Sequence, residues 1–287
     1  MNIEGFASLS PNQMEAITAL ERLVHQHDGS YRNIYLENRF NFDPAMPAFW
    51  LATENQQLVG FLAIYADTQE DAEFSVIVHP AYRRQKIASQ LVAAAKNIVR
   101  QYQIKQVIYV AELSFIQQSP SWQEKFRWNP SETELIMQTP QLNIPASRAV
   151  SAYKLRQVAQ ADGPAIARIQ RETFGASEDE TKRDLAAAFE DESHRLYVFI
   201  DEAGQVVGST SVNLTPDHYY FFGLAVGLDY QNQGVASACI PLLMQELWQE
   251  KPLPFRLAVN KDNGAARHVY GKCGFEEITE VVYLSEK

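Results

Sequence analysis

Between the apolar run YYFFGLAV and the helix-period run CIPLLMQELW stands QNQGVASA, Gln231 to Ala238. The first backbone N–H groups of a helix lack intrahelical acceptors and carry the positive end of the helix dipole. A loop of small residues leading into a helix can therefore wrap an anion, phosphate above all. Gly234 suits close approach of backbone to ligand, and Ala236 and Ser237 keep the first turn uncrowded. The same residues also describe an ordinary strand-to-helix turn. A dinucleotide-binding Rossmann site is excluded, because GxGxxG is absent. Cys239 and Cys273 have no metal-ligand partner at short spacing and cannot build a disulfide framework. His25 and His27, two apart on an expected helix, point in different directions and do not form a metal pair. The run Glu178 to Glu192, EDETKRDLAAAFEDE, reads as a solvated helix.

The elements that must position this loop follow from periodicity. YKLRQV reads as a strand and DGPAIARIQRETF as a helix with Asp162 at its N-cap and Pro164 in its first turn. LYVFID, VVGSTSVNL and YYFFGLAV then form an antiparallel meander joined by the turns EAGQ and TPDH. After the loop a helix runs through Trp248, with Ile240, Leu243, Met244 and Leu247 on its apolar face. FRLAVN follows as a strand, NGAARHVYGKCG as a short helix closed by Gly274, and ITEVVYL as the last strand.

Sliding the chain by 148 residues pairs FSVIVHPAYRRQKIAS with FGLAVGLDYQNQGVAS, and ATENQQLVGFLAIY with IDEAGQVVGSTSVN. Glycines, turn positions and apolar positions agree together without a gap, which indicates a duplicated domain. The sequence places the copies at residues 1–140 and 151–287, with a proline-interrupted linker at 141–150.

The order strand, Gln231-x-x-Gly234-x-Ala236, helix, strand, Asn263, Tyr270, Gly274-Phe275 resembles the GNAT superfamily of acetyl-CoA-dependent N-acetyltransferases. The resemblance implies an α/β (α+β) fold of two tandem GNAT-like domains. Each would be a mixed, mostly antiparallel twisted sheet flanked by helices. It implies that Gln231, Asn232, Gln233, Gly234, Val235 and Ala236 bind the CoA pyrophosphate, that the backbone of Leu224, Ala225 and Val226 pairs with pantetheine on a splayed strand, and that Asn263 contacts the same arm. Gly223 and Gly227 flank those strand positions and suit a bulge or close approach. Tyr270 would be the general acid for the departing thiolate. The family's strand glutamate falls at Tyr220, so the base is left to Tyr220, His218, a water relay or the other half. His218 itself reads as a surface turn residue.

In the first copy Lys86 replaces the loop glycine, Ile116 and Gln123 align with Asn263 and Tyr270, and Arg127 replaces Gly274. That copy is expected to be degenerate. The implied reaction is direct attack of a primary amine, on a small molecule or peptide, upon acetyl-CoA, with no metal. The competing reading is a non-catalytic acyl-CoA-binding module.

A net charge of −10 and pI near 5.1 disfavour nucleic acid as partner and fit a small or cationic acceptor. The start MNIEGFASLS lacks a basic n-region, and no apolar run approaches the ~18 residues of a membrane span, so a cytoplasmic location without a membrane partner is expected. Packing of the two halves as a pseudo-dimer would be compatible with a monomer.

Overall fold

The computed structural model describes residues 1–139, 152–175, 177–190 and 192–287. The expected linker, 141–150, lies outside them. Contacts divide the chain into two compact units, Met1–Thr133 with Thr279–Lys287, and Glu134–Ile278.

The first unit contains β1 (Asn2–Phe6), α1 (Pro11–Asp28), β2 (Phe49–Glu54), β3 (Gln57–Tyr65), β4 (Asp71–Val78), α2 (Ile87–Gln101), β5 (Gln106–Glu112), α3 (Leu113–Gln117), α4 (Pro120–Lys125) and β6 (Phe126–Trp128). Ser10 and Gln13 cap α1 reciprocally, side chain to backbone in each direction. β1 to β4 pair antiparallel in sequence order, and β5 joins β4 in parallel.

The second unit repeats the plan with β7 (Glu134–Gln138), β8 (Lys154–Gln157), α5 (Gly163–Phe174), α6 (Glu178–Glu190), β9 (His194–Ile200), β10 (Val206–Leu214), β11 (Tyr219–Val226), α7 (Val235–Glu250), β12 (Phe255–Asn260) and α8 (Gly264–Lys272). β8 to β11 pair antiparallel, and β12 joins β11 in parallel. The last strand is β13 (Glu276–Glu286).

The units depart from the sequence halves at two strands. β7 closes the first half of the sequence yet pairs with β12 in the second unit, whereas β13 ends the chain and pairs with β5 and β6 in the first. Apolar alternation explains why both strands are needed. Val282 and Leu284 enter the core formed by Phe61, Phe74 and Leu91, and Leu135 and Met137 enter the core formed by Phe221, Leu243 and Phe255. Full burial of such a side chain is worth about 1.5–3 kcal/mol, and a domain's whole stability is about 5–15 kcal/mol. Fragments 1–139 and 152–287 are therefore expected to be insoluble or unfolded when produced singly and to recover soluble, folded material when produced together. Circular dichroism and size exclusion of the single and paired fragments check this.

In the second unit Tyr219 and Phe221 pack with Ile240, Leu243, Met244 and Leu247, so alternate residues of β11 are committed to the α7 side. Tyr220 and Phe222 are left for the opposite face, where their rings meet and where Phe222 lies 5.4 Å from the His194 ring.

Candidate active site in the second unit

Gly227 leaves β11 through a short 3-10 turn, Leu228–Tyr230, and the chain enters Gln231 in extended conformation. Asn232 (φ 60°) and Gly234 (φ 84°) both take left-handed backbone. The first helical bond of α7 runs from Ala238 N to Gly234 O, so the N–H groups of Val235, Ala236 and Ser237 precede the helical ladder. A Cβ built on Gly234 meets nothing within 4 Å, so the loop is open on that side. The two glutamines brace the loop from within: Gln231 Nε2 donates to Val226 O at 3.1 Å and Gln233 Nε2 to Asp229 O at 2.6 Å. Val235 is buried with Val207 and Cys239 and anchors the helix start.

The strand before the loop has two irregularities. Its parallel ladder with β12 runs from Tyr219–Phe255 to Phe221–Leu257 and stops, so Phe222 to Val226 splay from Ala258 to Asn260. At the next residue the register with β10 shifts, Ser211 facing Phe222 while Ser209 faces Ala225. One extra residue is thus inserted in β11, and Gly223, at φ 58°, carries the bulge. Gly227 continues the strand, donating its N–H to Val207 O.

Asn263 caps α8 by accepting from Ala266 N at 3.0 Å. Tyr270 is buried, 6.0 Å from the Phe275 ring, and its cluster also receives Leu224 and Ala236. Strand, loop and short helix therefore pack against the same core. Burial, helped by neighbouring Cys273, pushes the Tyr270 phenol up to about 12. Burial also pushes the Cys239 thiol to about 12 and the Cys273 thiol to about 11.

His218 is in a turn, as its sequence suggests, but it is 3% exposed rather than superficial. Its Nδ1 meets Asp217 Oδ1 and Thr215 Oγ1, each at 2.9 Å, and its ring stands edge-on to Tyr220 at 6.3 Å. The contact with His218 holds the Asp217 carboxyl well below the usual carboxylate range. Asp217 escapes sequence reasoning because TPDH reads only as a turn. Gln170 escapes it too, although a glutamine on the apolar stripe Ile166, Ile169, Gln170 was a signal that a buried partner exists.

The first unit keeps the loop backbone without its glycine. Arg84 (φ 66°) and Lys86 (φ 65°) reproduce the left-handed positions of Asn232 and Gly234, and Arg83 Nε repeats the strand-end bond by donating to Val78 O at 3.2 Å. Left-handed backbone costs about 1–2 kcal/mol at a non-glycine residue. β4 and β5 also splay, after Phe74–Tyr109, but the register of β3 with β4 is unbroken from Gly60–Val78 to Tyr65–Glu73. The bulge is missing. The divergence is bridged from within: Tyr31 N and Arg32 N donate to Glu112 Oε1 at 2.7 and 2.8 Å, Thr279 Oγ1 donates to Glu112 Oε2, and Arg32 Nη1 donates to Ser75 Oγ at 2.9 Å.

His25 and His27 both fall on α1, where His25 Nε2 contacts Arg32 O and His27 Nδ1 contacts Asp28. Among the described residues no group of three or more His, Cys, Asp or Glu could hold a metal, and no helix is long and apolar enough to cross a membrane.

A splayed strand pair feeding a left-handed loop and a helix N-terminus defines the acyl-CoA-dependent transferase architecture. The acetyltransferase (GNAT) family pattern matches twice, at residues 12–117 and 163–275, and the chain belongs to that family as a tandem, two-domain acyltransferase. It is similar to a GCN5-related N-acetyltransferase from Sphaerobacter thermophilus, at 16% identity over 99% of this chain and 95% of that one, with a TM-score of 0.74. It is also similar to a tandem GNAT protein from the clavulanic acid biosynthesis pathway, at 18% identity over 99% and 98% of the two chains and a TM-score of 0.70. A GNAT-family acetyltransferase from Colwellia psychrerythraea aligns over 100% of both chains, at 15% identity and a TM-score of 0.62. No curated protein sequence matches the chain.

The buried acids predict the response to alkali. Tyr197, Tyr219, Tyr270, Cys239 and Cys273 all have their pKa raised, burial being the main cause. Each holds its proton more tightly folded than unfolded, so its stabilisation is complete below the ordinary thiol and phenol values. It is lost as pH rises through the folded values, about 11 for Cys273 and about 12 for Cys239 and Tyr270. The urea midpoint is expected to hold steady to about pH 9 and to fall progressively above it.

Proposed function

We propose that the second unit transfers the acetyl group of acetyl-CoA to a primary amine by direct attack in a ternary complex. The observation that carries this reading is the Gly223 bulge, seated where β11 leaves β12 and missing from the first unit. The site's residues fit the co-substrate. Val235, Ala236 and Ser237 offer N–H groups beside the open Gly234 side for an anionic pyrophosphate, with Gln231, Asn232 and Gln233 fixing the loop. The free edge of Leu224, Ala225 and Val226 suits the amides of a pantetheine arm, and Asn263 keeps an amide nitrogen for the same arm while Oδ1 caps α8. Bound there, the thioester supplies an activated acetyl group.

The chain's own groups then have separate roles. Tyr270 keeps its proton at any working pH, because burial pushes the phenol to about 12, and donates it toward the departing sulfur. His218, oriented through Nδ1 by Asp217 and Thr215, takes the amine's proton by way of Tyr220 or a water at that ring. Cys239 and Cys273 stay protonated and buried, which argues against a thiolate nucleophile. The acceptor approaches along α6, whose acids Glu178 and Asp179 favour a cationic amine even though Lys182 pairs with both. The first unit, with its divergence stapled by Arg32 and Glu112, does not take CoA.

Thiol release from acetyl-CoA across a panel of polyamines, amino sugars and peptide N-termini tests the reading, with calorimetry giving one CoA per chain. Binding of CoA with no amine raising thiol release would leave the non-catalytic module instead. His218→Gln is expected to lower kcat about 100-fold with little change in the KM for acetyl-CoA. A kcat within threefold of the parent would remove His218 from the mechanism.

A further inference from the structure

We infer that Gln170 is a positioning residue for acetyl transfer: from α5 it pins the carbonyl of Gly223 and so holds the bulge of β11 in the geometry that the thioester meets. The inference rests on the proposed reaction for its catalytic consequence and on the structure alone for the pin. Gln170 is 9% exposed, and its Nε2 donates both to Gly223 O at 2.9 Å and to Ser209 Oγ at 3.1 Å. A carbonyl only accepts, so the amide must turn its nitrogen to Gly223, which fixes the flip by chemistry. Ser209 and Ser211 mark the two sides of the register shift, so Gln170 reaches both the bulged strand and its partner at the point where they fall out of step.

Peptide geometry carries the consequence to the site. Within the trans peptide 223–224 the C=O and N–H point in opposite directions. Holding Gly223 O toward Gln170 turns the N–H of Leu224 away from α5, at the point where β12 has left the strand. A preorganised N–H there can meet charge developing on the thioester carbonyl.

The first unit supplies an internal control. On its first long helix the buried pattern Ile17, Leu20, Glu21 matches Ile166, Ile169, Gln170, so the counterpart of Gln170 is a carboxylate. A carboxylate cannot donate to a carbonyl. Glu21 instead accepts from Ile34 N at 2.6 Å and Asn33 Nδ2 at 3.0 Å. The strand position matching Gly223 is Ser75, paired with Ala63 in an unbroken ladder. Donor, glycine and bulge occur together in one unit and are lost together in the other.

The test pairs Gln170→Met, of similar size but with no donor, with Gly223→Ala. An added methyl at Gly223 has Gln170 Nε2 as its nearest neighbour at 3.8 Å, so that variant acts through the φ of 58° rather than through a clash. In hydrogen exchange of the full chain, Gln170→Met is expected to speed exchange across residues 221–226 about tenfold while β12 and α7 keep their protection. Unchanged exchange in 221–226 would overturn the pin whether or not the chain acetylates anything. In kinetics, Gln170→Met is expected to lower kcat about 30-fold with the KM for acetyl-CoA within threefold, and the double variant to be no slower than the slower single one, since both remove one geometry. Multiplying losses, or a kcat unchanged despite faster exchange, would overturn the catalytic role. A parent protein without amine-dependent thiol release would instead overturn the proposed reaction and leave the exchange result standing.

Discussion

Gly234→Asp is expected to weaken acetyl-CoA binding at least 100-fold while the protein stays folded. Space is not the obstacle, because a Cβ at Gly234 has no neighbour within 4 Å. Nor is the backbone a large one, since aspartate is among the residues that tolerate the left-handed region that φ 84° requires. What changes is charge. A carboxylate would stand beside the N–H groups of Val235, Ala236 and Ser237, where it neutralises the helix terminus and repels a pyrophosphate. Two unit charges 4 Å apart at an effective dielectric of 20 repel by about 4 kcal/mol, nearly a thousandfold before screening. Gly234→Asn has the same shape and backbone tolerance without the charge, and it should cost tenfold or less. Calorimetry with CoA at two salt concentrations checks both variants; equal affinities for Asp and Asn would show that no anion sits at the loop. Lys86→Gly in the first unit should not create a second site, because that loop already has the left-handed backbone and the Arg32–Glu112 staple remains.

That asymmetry defines what the sequence could convey. The meander, the crossover loop and the helices α5 and α7 of the second unit were legible because apolar spacing dictates them, and VVGSTSVNL is β10 residue for residue. The replaced glycine at Lys86 was legible as a difference, but not its lack of effect on φ, since an αL lysine violates a preference that only tertiary contacts override. The exchange of β7 and β13 was hidden for another reason. A strand's pattern states that it needs a buried face, and Val282, Leu284, Leu135 and Met137 would satisfy that in the core of either unit. His218 was misplaced because turn residues are usually exposed, whereas Thr215 and Asp217 here fold the turn back over the ring. Within the candidate site the loop, Asn263 and Tyr270 are named through resemblance to a family pattern, which each matches by its own residue type. Gln170 and Asp217 carry no such mark, since each contacts a residue far away or unremarkable in sequence, Gly223 and His218.

Tyr270→Phe is expected to lower kcat at least 100-fold, with the dissociation constant for acetyl-CoA within threefold and the thermal midpoint nearly unchanged. Phenylalanine preserves the ring that packs 6.0 Å from Phe275 within the second unit's core, so the fold keeps its contacts and only the hydroxyl is removed. On the proposed mechanism the hydroxyl matters because Tyr270 is buried, and a thiolate expelled beside it has little water to protonate it. The sign of the pKa shift gives a second readout. Burial raises the phenol to about 12, so the acid is already protonated at neutral pH and kcat should show no alkaline fall from this group below about pH 11. A tyrosine that acted instead as the base would have to ionise, and activity would then climb with pH through the same range. Acetyl-donor analogues separate the roles further. A thioester whose leaving thiol is more acidic needs less proton donation, so the penalty of Tyr270→Phe should shrink as the leaving group improves, whereas a packing defect would slow every donor alike. A kcat within threefold of the parent on acetyl-CoA would assign the general acid elsewhere.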